Sequence, residues 1–210
     1  MSEGPAEPPG RTRVDGRAAR AERTRRAVVN ALLELIGEGD LLASPERVVQ
    51  RAGVSLRTLW TNFKDLEGLY AAANQRLIEL LREAYRPIPP SLPLRERIHA
   101  FGRQRGRLLE LAAPATRATQ LRLPYSAQLR RNRAMHHRRT CEELRAVFAA
   151  ELNALEPVES DRAVLDLAVS TSPAAWSLLR DELALSQPAA TAVLIRSVTA
   201  LLTAKSVRGG

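Results

Sequence analysis

The sequence predicts an all-α protein built as a small N-terminal three-helix domain and a larger C-terminal helical domain. Three observations lead there. Apolar positions recur at helical spacing along most of the chain, and no run of alternating β-branched residues reads as a strand. Aromatic residues make up only 4% of the chain, so the core must come from Leu, Ala and Val, a mixture that favours helix over sheet. Residues 44–63 carry two short helical patterns joined at a glycine.

Residues 1–14 are rich in Pro, Gly and charge and are expected to form a disordered basic tail. The N-terminal domain is assigned to residues 15–64. Val28, Leu32, Leu35 and Ile36 define its first helix, from about Arg17 to Gly37, and Gly37 and Gly39 end it. Ser44 is a suitable N-cap for a second helix, with Pro45 in the first turn, where a missing N–H costs nothing. Val48, Val49 and Ala52 give that helix an apolar side. Gly53 follows where a helix C-terminus needs a positive φ. Val54 plugs the turn, and Ser55 caps a third helix that turns Leu59 and Phe63 inward. Arg57, Thr58, Trp60, Thr61 and Asn62 remain on its other sides. Two short helices joined this way form the unit that lays its second helix in the major groove of DNA.

Asp65 is a plausible cap for a connecting helix that runs through Leu69, Ala73, Leu77 and Leu80-Leu81 to about Tyr85. Pro87, Pro89, Pro90 and Pro93 then form a non-helical linker. The C-terminal domain, residues 65–210 with the connecting helix, continues with a helix from about Leu94 to Ala112 carrying Ile98, Phe101, Leu108 and Leu111. Pro114 and Pro124 bracket a short segment. A long helix from about Ala127 to Leu152 follows, with Cys141, Leu144, Phe148 and Leu152 inward, and Pro157 breaks it. The last two helices are expected at 160–183 and 187–204. Leu165, Val169, Trp176, Leu179 and Leu183 line the first, with a kink at Pro173. Leu194, Val198, Leu201 and Leu202 line the second.

Ala52-Gly53-Val54-Ser55, then Leu59-Trp60-x-x-Phe63 and Leu69, resembles the TetR family of bacterial transcription regulators. The likeness runs from near Arg17 to near Leu69, and a weaker one continues in Ala175-Trp176-x-x-Leu179-Arg180. The resemblance implies a homodimer that binds a palindromic double-stranded DNA operator, usually as a repressor, and is often released by a small-molecule effector. It also implies dimerisation through the helices near 160–183 and 187–204. Three positions depart from the family pattern: Trp60 stands for Tyr, Val49 for a small Ala at the helix crossing, and Leu66 for a phosphate-binding Lys.

On this reading Arg57 is the residue for base contact, because a guanidinium reads guanine O6 and N7 bidentately. Ser44, Ser55, Thr58, Trp60, Asn62 and Lys64 complete the expected DNA-contacting set, mostly toward phosphates. Arg11, Arg13, Arg17, Arg20, Arg23, Arg25 and Arg26 could add a basic arm, or simply form a solvated face. The net charge of +9 adds little to the DNA argument. Residues 1–65 carry a net +2 and residues 66–210 the remaining +7, so the motif and not the charge makes the case.

For the effector, residues 95–139 hold twelve arginines against Glu96 and Glu110. An inward Arg105 or Arg133 suits a carboxylate or phosphate, which guanidinium binds through two parallel hydrogen bonds. Phe101, Tyr125 and Trp176 are the aromatic candidates for the same pocket. The plainer account is that the arginines are solvated and the aromatics pack in the core or an interface.

No cofactor or metal is expected. His137 and Cys141 are four apart on one helical face, but two ligands do not make a zinc site, and a buried thiol is the simpler role. Nucleotide loops, G-x-S-x-G and H-E-x-x-H are missing from the sequence, which argues against an enzyme. No run of 18 apolar residues predicts a membrane span. A single cysteine and an N-terminus without an apolar core fit the cytoplasm. Two other readings stay open: an effector-free or architectural DNA-binding protein, and a helical binding module without operator binding.

Overall fold

The computed structural model describes residues 11–206. The chain divides into two compact units, Met1–Arg76 and Leu77–Gly210. Among the described residues every regular element is helical.

The first unit begins with α1 (Arg11–Gly37), α2 (Pro45–Ala52) and α3 (Leu56–Asn62). Helix α1 starts earlier than the sequence suggests, so residues 11–14, assigned above to a disordered tail, have a helical backbone. Arginine is a good helix former and Gly10 is the last strong breaker before Gly16, which a long helix tolerates at about 1 kcal/mol. Residues 1–10 of that tail lie outside the described residues. The core is made by Val28, Leu32, Leu35 and Ile36 from α1, Val48 and Val49 from α2, and Leu59 and Phe63 from α3, all buried. Helix α4 (Leu66–Ala84) adds Leu69, Tyr70 and Ala73. Asp65 caps it, its Oδ1 accepting from Gly68 N–H at 2.7 Å. Tyr70 donates its hydroxyl to Leu41 C=O at 3.4 Å, tying the α1–α2 turn down.

The second unit contains α5 (Leu94–Arg122), α6 (Ala127–Val147), α7 (Ala149–Asn153), α8 (Pro157–Ser170), α9 (Pro173–Ser177) and α10 (Gln187–Ser206). A 3₁₀ turn (Leu123–Tyr125) follows α5, and a π turn (Leu178–Glu182) follows α9. Its main core joins Ile98 and Phe101 of α5, Leu144 and Val147 of α6, Phe148 between α6 and α7, Leu152 of α7, Val164 and Leu167 of α8, and Val198 and Leu202 of α10. Phe101 and Phe148 meet edge to face at 5.5 Å. A smaller cluster holds Leu109, Trp176, Leu179, Ala190 and Leu194.

Helix α5 packs closely on α10 because Gly102 and Gly106 lie at the contact. A Cβ on Gly102 would sit 2.3 Å from Ile195 Cγ1, and one on Gly106 would sit 2.5 Å from Thr191 Oγ1. Two bare Cα atoms one turn apart are what let the helices approach.

Several boundaries differ from expectation. Helix α5 passes through Pro114 rather than ending at Ala112. Proline removes one helical hydrogen bond, to Glu110 C=O, but the neighbours Ala112, Ala113 and Ala115 are strong helix formers, and buried Leu109 and Ala118 hold both sides. The helix expected at 127–152 is broken at Phe148, whose φ and ψ of −112° and 29° are not helical. Pro157 opens α8 instead of merely ending its predecessor, as proline's fixed φ favours at a first helical position. The element expected at 160–183 is three pieces, because Pro173 starts a new helix capped by Ser172 Oγ, which accepts from Ala175 N–H at 3.1 Å. That change of phase splits the expected stripe. Trp176 and Leu179 are buried, but Leu165, Val169 and Leu183 are exposed, and Ala163, Val164 and Leu167 form the buried face of α8 instead.

Candidate nucleic-acid interface

Local chemistry sets the α2–α3 unit. Ser44 Oγ accepts from Arg47 N–H at 3.4 Å and caps α2. Gly53 ends the helix at φ +67°, and the N–H of Val54 returns to Val49 C=O at 3.0 Å. The turn therefore closes with valine at position 49, which is buried at the crossing. Ser55 Oγ caps α3 by accepting from Thr58 N–H at 3.1 Å.

Two arginines of α2 are held by carboxylates. Arg51 forms a fork on Glu38 at 2.8 and 2.7 Å, which holds the Glu38 carboxyl below the usual range. Arg47 lies 2.8 Å from Asp40. These pairs fix the α1–α2 turn and remove both cations from the pool available to a ligand.

The side chains expected to meet DNA divide into two groups. Arg57, Trp60 and Lys64 are exposed, with Trp60 at 42%. The others already have local partners. Ser55 Oγ and Thr58 Oγ1 share a hydrogen bond of 2.9 Å, and Asn62 Nδ2 donates to Thr58 C=O at 2.8 Å. Thr61 Oγ1 donates to Arg57 C=O at 2.8 Å. Ser44 is exposed, its Oγ accepting the capping hydrogen bond and its side chain also bonded to Glu46.

Arg25, read above only as part of a basic arm, has a structural role. Its Nη1 donates to Asn62 C=O at 2.6 Å, and its guanidinium lies 4.3 Å from the Phe63 ring centroid. It thus ties α1 to the C-terminal end of α3. No local sequence signal marks this, since the partners lie 37 residues apart. Of the other arm residues, Arg26 is 3.8 Å from Glu22. The side chains of Arg11, Arg13 and Arg17 lie outside the described residues.

The five residues considered for an effector pocket do not converge. Phe101 is in the core and Tyr125 is 87% exposed. Arg133 is exposed, its Nε 3.4 Å from His137 Nε2. Trp176 is buried and donates Nε1–H to Glu110 at 2.9 Å, beside the Arg180–Glu110 fork at 2.7 and 3.0 Å. Arg105 does face inward, but toward protein groups. It donates to Thr171 C=O at 2.9 Å and to Thr140 Oγ1 at 3.3 Å, with Glu143 3.9 Å away. Burial pushes the Arg105 pKa down and that of Glu143 up. Among the described residues no group of three or more His, Cys, Asp or Glu side chains is placed to hold a metal. No described helix is long and apolar enough to cross a membrane.

No protein-family model matches the sequence, and comparison with curated proteins finds no relative. Solved structures do match. A transcriptional regulator of Rhodococcus superimposes with a TM-score of 0.62 at 17% identity, over 86% of this chain and 96% of that one. A candidate TetR-family transcriptional regulator of Mesorhizobium loti gives 0.61 at 16% identity, over 88% and 98%. A candidate transcriptional regulator of Pseudomonas aeruginosa gives 0.63 at 16% identity, over 90% and 95%. At these identities the likeness is one of fold. The chain has the all-α fold of TetR-type transcriptional regulators, in agreement with the resemblance read from Ala52 to Leu69.

Proposed function

We propose that the protein is a DNA-binding transcriptional regulator that occupies a palindromic operator as a homodimer. The observation that carries this reading is α3 itself: a capped helix, braced from behind by Arg25, that leaves Arg57, Trp60 and Lys64 in solvent. Arg57 is the base-reading residue, and Trp60 and Lys64 serve phosphates. Ser55, Thr58 and Asn62 hold the helix in shape and offer only their remaining hydrogen-bond capacity to DNA.

Homodimerisation is supported by α8. Val158, Leu165 and Val169 are 62%, 60% and 70% exposed and fall on one stripe of that helix. A second copy covering this stripe with α8 and α10 would build a four-helix interface. Repression follows from occupancy of the operator, and release by a small molecule requires that the ligand bind the non-operator form better than the operator-bound one.

The test is Arg57→Ala on a selected DNA site. The side chain is exposed, so the fold should be unchanged, while DNA affinity should fall by about 1–3 kcal/mol with relaxed preference at one base position. Flat affinity would favour the helical binding module that does not read DNA.

A further inference from the structure

A cavity of the second unit lies away from the residues that the sequence suggests for an effector. It is an open groove of about 590 Å³ between α5, the proline linker and the first half of α10. That volume lies within the roughly 300–1,000 Å³ of small-molecule sites. Its walls are mostly apolar, from Ile88, Leu92, Ala192 and Ile195.

The charged groups that line it, Arg86, Arg103 and Arg107, are all cationic. Arg103 and Arg107 stand one turn apart on α5 and line the groove. Among the described residues neither has a carboxylate partner, unlike Arg97, Arg105 and Arg117 of the same helix. Gln104 lies between them in sequence and is 4% exposed. Its Oε1 accepts from Arg86 N–H at 2.7 Å, but its Nε2 is buried with no acceptor. Such an orphan donor is costly in a native protein. The N-terminal residues of α10, Gln187 and Pro188, also line the groove, and the start of a long helix is electropositive.

We propose that this groove binds a small amphipathic anion, a carboxylate or sulfonate on an apolar body. The body lies along Ile88, Leu92 and Ile195. The anionic head takes Arg103 and Arg107, and an oxygen at the floor supplies the acceptor that Gln104 Nε2 lacks. That this ligand acts as the effector rests on the DNA-binding reading above; its binding does not.

A matched pair of dyes tests the proposal on the full chain: 1-anilinonaphthalene-8-sulfonate and N-phenyl-1-naphthylamine, which lacks only the sulfonate. Fluorescence titration should give one site per chain with about tenfold preference for the sulfonate. Arg103→Gln with Arg107→Gln, both at exposed positions, should abolish that preference while leaving the neutral dye bound. Ala192→Phe should fill the groove and remove both. Pro188→Trp on the exposed rim replaces it if the phenylalanine variant does not fold. Equal binding of the two dyes, or sulfonate binding untouched by every substitution, overturns the proposal. DNA binding is read on the same samples. Dye binding without any DNA binding would sink the regulator reading alone, and DNA binding without groove-dependent dye binding would sink the groove alone.

Discussion

Arg25 of α1 lies over the ring of Phe63, its guanidinium carbon 4.3 Å from the centroid, while donating to the carbonyl of Asn62 at 2.6 Å. Asn62 ends α3, where carbonyls lack helical partners, so the guanidinium satisfies one of them and fixes the exit of the helix. Arg25→Ala should therefore lower stability by about 1–2 kcal/mol in urea unfolding. It should also weaken DNA binding without changing the salt slope, because the side chain is engaged with protein and not phosphate. A slope that falls by about one would instead make Arg25 part of a phosphate-binding arm.

Gly53 is held at φ +67°, and a Cβ there would meet nothing within 4 Å. The cost of Gly53→Ala is thus backbone conformation alone, about 1 kcal/mol. Gly53→Asn should cost less, since asparagine tolerates the left-handed region. Thermal unfolding of the two variants checks this, and equal stability of alanine and glycine would contradict the turn geometry.

The success at Gly53 shows why the N-terminal domain was legible. Ser44, Gly53, Ser55 and Asp65 act on backbone groups within three residues, so the sequence alone displays cause and effect. Arg105 shows the opposite. Whether an inward arginine awaits a ligand or binds protein depends on Thr140, Glu143 and Thr171, which come from other helices. Pro114 misled for a related reason, because tertiary packing on both sides outweighed a local breaker. The groove was invisible because its donors gain meaning only beside α10.

Arg97 is 4% exposed and makes a fork on Glu151 at 2.7 and 2.6 Å, with further bonds to Leu92 and Val147 carbonyls at 2.8 Å. Removing the carboxylate strands a buried cation. Glu151→Ala should cost about 3 kcal/mol, more than its share of surface suggests. Chemical denaturation measures it, and a loss below about 1 kcal/mol would mean that the two carbonyls suffice.

His136 supplies a pH dependence. Burial first, then Arg105, His137 and Arg139, push its pKa down from 6.5 to about 4. Between those values the unfolded chain binds a proton that the folded chain refuses, so stability falls as pH drops from 6.5 toward 4. The loss attributable to this group is on the order of 2–3 kcal/mol. Glu143 works the other way, since its raised pKa makes stability fall as pH rises above the ordinary carboxylate value. Comparing wild type with His136→Gln isolates the histidine: the difference in unfolding free energy should change between pH 6.5 and 5. A constant difference would contradict the shift.

In the proposed regulator α3 is the helix that reads DNA. The most direct measurement is selection of binding sites from random-sequence DNA by the purified protein at two salt concentrations. An operator-binding dimer should enrich a palindrome with half-sites about one helical turn apart, about 10–10.5 base pairs, and its affinity should drop steeply with salt. Weak, salt-labile binding with no enriched sequence would contradict it.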